Sequence, residues 1–259
     1  MTNAMLLTRE GPIGRITLNR PDDGNGINND MMRDMRAVGA ELAEDRDIRA
    51  IIFDAKGKNF CVGGDIRVFT GLASEGPSGL RDFIESFHFF IRKVRAHPAP
   101  VISVVQGAAA GAGLSLALLG DLAIAGASSK YAVAYRKLGT SPDGGSTFFL
   151  PRAIGRRKAA ELMILRDVID AQEALALGIV NRVVPDAELA GEAQKMDEAI
   201  AANAQMAMAN MKMLLNAPIL AELDAQLDLE RDAFAACSQT ADFAEGVKAF
   251  LEKRPAQFN

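Results

Sequence analysis

Hydrophobic and polar positions along this chain switch period several times before the last third. Short apolar runs at 5–9, 14–18, 50–53, 101–105, 122–125 and 179–184 predict strands. Between them the apolar residues recur at helical spacing. Met31, Met35, Val38 and Leu42 form one such stripe and predict a helix over 28–44. Phe83, Ile84, Phe87, Ile91 and Val94 form another and predict a helix over 80–95, stopped by Pro98 and Pro100. Shorter helices are predicted at 112–119, 147–153, 156–165 and 171–177. From 187 to 251 the pattern is helical throughout, rich in Ala, Leu, Met, Glu and Lys, with Pro218 as its break. Strands alternating with helices predict the α/β class, followed by a purely helical tail.

Composition narrows the function classes. The chain has 259 residues, is 49% hydrophobic and 24% charged, and carries a net charge of −4. That is a globular composition with enough length for a sizeable core. Two cysteines and two histidines exclude a disulfide scaffold and argue against a His- or Cys-built metal site. The acidic balance, the absence of Trp and 6% aromatic content argue against nucleic-acid binding. The N-terminal residues have no basic region and no long apolar run, so no signal peptide is expected. Residues 98–120 carry no charge and have the length of a membrane span, but Gly and Ala supply much of the stretch. A strand, turn and helix is the expected reading, with no membrane partner and a cytoplasmic location.

Four local motifs carry candidate chemistry. Lys58-Asn-Phe-Cys-Val-Gly-Gly-Asp-Ile-Arg67 places two glycines before an Asp, which suits a loop whose N–H groups face a ligand. Alone, it reads more readily as a plain turn with an Asp N-cap, since turn glycines are common. Gln106-Gly-Ala-Ala-Ala-Gly-Ala-Gly113 follows a buried strand and opens a short helix, where free N–H groups favour negative charge. Close packing through small residues is the alternative, and the spacing of a dinucleotide fingerprint is absent. Gly113-Leu-Ser-Leu-Ala117 has the form of a loosened nucleophile elbow, but His88 and His97 both precede Ser115, the wrong order for an α/β-hydrolase triad. Pro142-Asp143-Gly-Gly145 is a tight turn whose carboxylate matters if it borders the two glycine loops.

The two glycine loops, about fifty residues apart, the Pro142-Asp-Gly-Gly145 turn and the terminal Phe250-Leu-Glu-Lys-Arg-Pro-Ala-Gln-Phe258 together resemble the crotonase (enoyl-CoA hydratase/isomerase) superfamily over the whole chain. The resemblance implies a spiral core of ββα turns over residues 1–195, binding acyl-CoA, and a helical segment over 196–259 used for trimerisation. It implies an acyl-CoA thioester as partner, a homotrimer or dimer of trimers, and no bound cofactor beyond the coenzyme A of the substrate. By motif position the oxyanion hole would be the N–H groups of Gly64 and Ala112, donors typically worth ~3–4 kcal/mol each in the transition state. Gly63, Gly64, Asp65, Ile66 and Arg67 would line the coenzyme A arm, with Arg67 on a phosphate. Phe234 and Lys253 would contact coenzyme A, in this subunit or a neighbour.

Departures from the family pattern decide the expected reaction. Ser115 and Tyr135 stand where hydratases resemble one another in carrying two glutamates. Neither is a good base near neutral pH. Asp143 falls where several family isomerases carry an aspartate. The implied reaction is double-bond isomerisation with Asp143 as acid/base. Hydration by a non-standard site and a catalytically inactive acyl-CoA binder are the alternatives. The missing Trp weakens a dehalogenase reading.

Overall fold

In the computed structural model, which describes residues 3–74, 77–216 and 220–258, the chain winds through two sheets. The first elements are β1 (Met5–Glu10), β2 (Ile13–Leu18), α1 (Asn29–Glu44), β3 (Ala50–Ala55), α2 (Ile66–Ser74), α3 (Pro77–Ala96) and β4 (Val101–Val105). Next come β5 (Ala108–Ala110), α4 (Ala112–Ala117), β6 (Leu122–Gly126), β7 (Lys130–Ala132), α5 (Ser146–Ile154), α6 (Arg156–Ile164), β8 (Ile169–Asp170), α7 (Ala171–Leu177) and β9 (Arg182–Val184). The tail is α8 (Leu189–Ala201), α9 (Gln205–Asn216), α10 (Leu220–Cys237) and α11 (Ala241–Leu251). The larger sheet runs β1-β2-β3-β4-β6-β9, parallel except for the β1–β2 hairpin. The smaller runs β5-β7-β8.

Period-two burial in the sheet explains the layers. Ile51, Phe53, Val101 and Val105 join the main core with the α1 and α3 stripes, where Phe53 meets Phe90 of α3 edge to face at 5.9 Å. Ile52, Ile102, Val104 and Ile124 face the other way and pack with Leu189 and Ala193 of α8. All five residues of β4 are therefore buried, as expected of a parallel strand covered on both faces. The α1 stripe lies as its spacing predicts, and the Asn28 side chain accepts the Met31 N–H at 3.0 Å to start the helix.

Several expectations need correction. The strand predicted over 179–184 is limited to Arg182–Val184, because Ile179 and Val180 follow the Gly178 cap of α7 into the core. The short strands β5, β7 and β8 were not predicted. β5 is three alanines, which carry no β signal, and it forms by pairing with β7 and by the Cys61–Ala109 bridge. The uncharged stretch resolves as β4, β5 and α4, and no described helix is long and apolar enough to cross a membrane. The tail breaks at 202–204 and 238–240, while Pro218 lies outside the described residues. α8 runs continuously over Leu189–Ala201, and Leu223, Leu227, Phe234, Phe243 and Val247 of the tail join the main core.

One close approach holds α4 in place. A Cβ on Gly113 would lie 2.0 Å from the Cys61 carbonyl oxygen, a backbone atom that cannot step aside. Gly113→Ala is expected to cost ~3 kcal/mol or more, read as a lowered urea midpoint. An unchanged midpoint would contradict this packing.

Candidate active site

The first glycine loop leaves a backbone donor free by its register. Gly64 forms a parallel bridge with Ile27, in which Ile27 N–H donates to Gly63 O (2.8 Å) and Asp65 N–H donates to Ile27 O (2.9 Å). The N–H of Gly64 then points to the opposite side of the strand, and no described residue accepts from it. A second donor comes from α4. Gly111, at φ +53 and ψ −123, turns β5 into the helix through a conformation open in practice only to glycine. Ala112 is the first residue of α4, so its N–H has no acceptor in the helix, and none among the other described residues. The two loops touch, since a Cβ on Gly111 would lie 3.9 Å from the Gly63 Cα.

Gly64 and Ala112, which carry these donors, both line one solvent-open cleft enclosing about 780 Å³ of empty space. Its walls are mostly apolar, with Met32, Phe69, Phe83 and Phe87 on one side and Phe234 and Phe250 from the tail. The aromatic rings interlock edge to face: Phe69 with Phe83 (6.1 Å) and Phe234 (5.7 Å), and Phe234 with Tyr135 (6.4 Å). Among the described lining residues, Asp143 is the one carboxylate.

Asp143 is 6% exposed and held from several directions. Tyr135 donates its hydroxyl to Oδ1 at 2.5 Å. The Asp143 carbonyl accepts from the hydroxyls of Ser115 (2.8 Å) and Ser146 (3.1 Å). No described residue donates to Oδ2. Burial pushes the carboxyl up to about 6, with the Tyr135 hydrogen bond pulling the other way. Tyr135 is itself held well above its ordinary range, by burial first and then by the Asp143 charge, so it remains a donor at neutral pH. The residue before it, Ala134, sits at φ +63, a strained conformation for a residue with a Cβ and one that recurs at functional sites.

The structure brings Gly63, Gly64, Ile66, Ala112, Tyr135, Asp143 and Phe234 to this cleft. It does not bring the other expected residues there. Ser115 is fully buried and holds the Asp143 turn instead of lining the cavity. Asp65 caps the start of α2, accepting Arg67 N–H at 3.1 Å. Its side chain pairs with that of Arg67 (2.7 Å), which holds the carboxyl below its ordinary value. Arg67 also reaches Asp23 at 3.3 Å. Lys253 is exposed just past α11. The Phe148–Phe149 pair, at the start of α5, lies outside the cleft: Phe148 packs under Arg152 and Phe149 near Arg95. Both histidines are buried, His97 accepting Ala99 N–H at 3.1 Å and His88 pushed down to about 3 by burial.

Sequence reasoning missed Lys137 and Phe250 in the lining, and Glu230 behind it. Glu230 accepts Gly145 N–H from 85 positions away in sequence, so no local pattern could have found it.

Over nearly its whole length the chain is similar to known proteins. Residues 8–259 match the family described as Enoyl-CoA hydratase/isomerase. The 1,2-epoxyphenylacetyl-CoA isomerase of Escherichia coli (strain K12) is 38% identical over 94% of this chain and 93% of its own. The crotonyl-CoA hydratase of Syntrophomonas wolfei is 33% identical over 98% of this chain and 97% of its own. An enoyl-CoA hydratase structure from Mycobacterium avium subsp. paratuberculosis superposes with a TM-score of 0.89 at 30% identity, covering 99% of this chain and 98% of that one.

A buried carboxyl leaves a mark on stability. The folded value of about 6 lies above the ordinary 3.8, so the folded chain keeps this proton where the unfolded chain loses it. Stability from this group therefore falls as pH rises from about 4 to about 6, by ~3 kcal/mol in all. Asp143→Asn has no proton to lose. Its stability relative to the parent should rise by roughly that amount between about pH 4 and pH 7.5 in urea unfolding. A gap independent of pH would contradict the burial of Asp143.

Proposed function

We propose that this chain, which belongs to the enoyl-CoA hydratase/isomerase family of the crotonase superfamily, moves a double bond along an enoyl-CoA thioester by proton transfer. The observation that carries the reading is Asp143, the one carboxylate among the described residues of the cleft, in a wall it shares with Gly64 and Ala112, whose N–H groups find no acceptor among the described residues. In the reaction, the thioester carbonyl accepts from the N–H groups of Gly64 and Ala112. The free Oδ2 of Asp143 takes a proton from the α-carbon of a 3-enoyl chain. The C–H electron pair moves into the thioester, and the resulting dienolate carries its charge on the oxygen facing the two donors. Asp143 then returns the proton to the γ-carbon, leaving the double bond conjugated with the carbonyl. One group serves as base and then as acid, and no water is consumed. A pKa near 6 suits both steps. Tyr135 keeps the carboxylate oriented, and the apolar wall keeps water away from the dienolate. No cofactor beyond the coenzyme A of the substrate is needed.

The name of the Escherichia coli relative, an isomerase, supports this choice. The name of the Syntrophomonas relative, a hydratase, favours hydration as a second reading. Hydration requires a positioned water and proton transfers at two sites, and the lining offers one carboxylate for them.

Assembly belongs to the same proposal. On α9, Met206, Met211, Leu214 and Leu215 are each more than half exposed, an apolar face that copies of this chain would cover in a trimer or a dimer of trimers. Sedimentation equilibrium should then give a trimeric or hexameric multiple of the 27.6 kDa chain, and a monomer would refute it.

The reaction is tested by offering 3-enoyl-CoA and 2-enoyl-CoA separately. The parent should convert the first, with growth of conjugated-thioester absorbance. Asp143→Asn should lower kcat by at least ~100-fold. In the parent, kcat/KM should fall about tenfold per pH unit below about 6 and level off above it, as Asp143 must be ionised to act. Hydration of 2-enoyl-CoA that survives Asp143→Asn would sink the proposal, as would binding of both esters with no turnover.

A further inference from the structure

Behind the cleft wall lies a second buried carboxylate that the reaction does not use. Glu230, on α10, is 3% exposed and does not line the cleft. Its Oε2 accepts the Gly145 N–H at 2.6 Å, and its Oε1 accepts the Thr147 N–H at 3.0 Å and the Thr147 hydroxyl. That hydroxyl accepts in turn from Nε2 of Gln226, one turn earlier on α10, at 2.6 Å. One face of α10 thus grips the start of α5, immediately after the Asp143 turn.

The turn needs such a grip. Gly144 and Gly145 follow Asp143 directly, at φ +67 and +81, and glycines fix their own conformation poorly. The α5 N-terminus has no side-chain cap of its own, since its N-cap is Gly145. A neutral cap would satisfy the same donors without burying a charge. Instead a carboxylate is buried against three donors and a helix start, which offset its desolvation. Burial still pushes it up to about 7, and the nearby Asp143 charge adds to the rise.

We propose that Glu230 is a positioning residue for Asp143: it clamps Gly145 and Thr147 so that the Asp143 carboxylate is held at the cleft only when α10 is docked. The core side of the same turn is already fixed by Ser115, Tyr135 and Ser146. The tail therefore completes the catalytic geometry as well as the apolar wall. This inference rests on Asp143 as the acid/base of the proposed isomerisation.

The test uses the full-length chain with 3-enoyl-CoA. Glu230→Gln, isosteric and neutral, should lower kcat by ~10- to 100-fold with KM within about threefold of the parent, since small misplacements of a catalytic group cost on that scale. In an Asp143→Asn background, Glu230→Gln should lower the residual rate no further, because its effect runs through Asp143. Near-unchanged circular dichroism and melting establish that the variant is folded. Should Glu230→Gln fail to fold, Thr147→Val, which removes the hydroxyl contacts to Glu230 and Gln226 and keeps the Thr147 N–H on Glu230, is expected to lower kcat by ~3- to 10-fold at unchanged KM. Parental kcat in a folded Glu230→Gln, or in Thr147→Val as its substitute, overturns the proposal while an inactive Asp143→Asn leaves the function standing. An equal loss in both backgrounds also overturns it, as that would mark a general structural role. Full isomerase activity in Asp143→Asn overturns the reading beneath it.

Discussion

A carboxyl group inside an apolar wall sets the terms for everything around it in this protein. For the proposed proton transfer Asp143 must be dry enough for its pKa to rise, yet its charged form must remain accessible. An unpaired buried carboxylate would simply stay protonated. The compromise is one strong donor, the Tyr135 hydroxyl, on one oxygen, with the other left open. The turn that carries the group is then fixed through its backbone. Ser115 and Ser146 hold its carbonyl and Glu230 holds the N–H groups that follow. Two glycines give that turn its shape and also make it dependent on these outside contacts.

The side of the cleft formed by Gly64 and Ala112 follows a complementary rule. There the need is for donors without partners, which folded proteins rarely leave inside. The chain supplies them without burying a waste donor. Gly64 uses the idle face of an isolated parallel bridge, and Ala112 uses the free first turn of a helix. Small residues are required at both places because the loops abut. Gly63, Gly111 and Gly113 sit where a side chain would meet backbone or force a rare conformation. The two halves of the site thus have opposite needs, donors left free on one side and a carboxylate restrained on the other. Both are met by where strands and helices end.

Much of this was legible beforehand, and the gaps have physical causes. The α1 and α3 stripes, the β4 run and the α7 bounds follow from periodicity and caps, which are local. β5, β7 and β8 are two or three residues long and stabilised by partners far away in the chain, so their composition carries no strand signal. Asp65 and Ser115 lie in motifs that resemble the family's site, and motif position alone put them near substrate. The side chains turn elsewhere, Asp65 to Arg67 and Ser115 to the Asp143 carbonyl. Sequence adjacency to a donor does not fix the direction of a side chain, because that depends on which partner the fold presents.

By itself the sequence determined the alternation of strand and helix, the helical tail, the two glycine loops and the turn at 142–145. Each of these depends on residues close together in the chain, and family membership could be read from their order. Only the tertiary structure decided that the Asp143 turn meets both glycine loops at one cleft, that Tyr135 supplies its donor, and that α10 folds back to grip it through Glu230. The reason is separation. A carboxylate and the N–H it accepts can lie 85 positions apart, and neither residue type nor local period records a contact made at that distance.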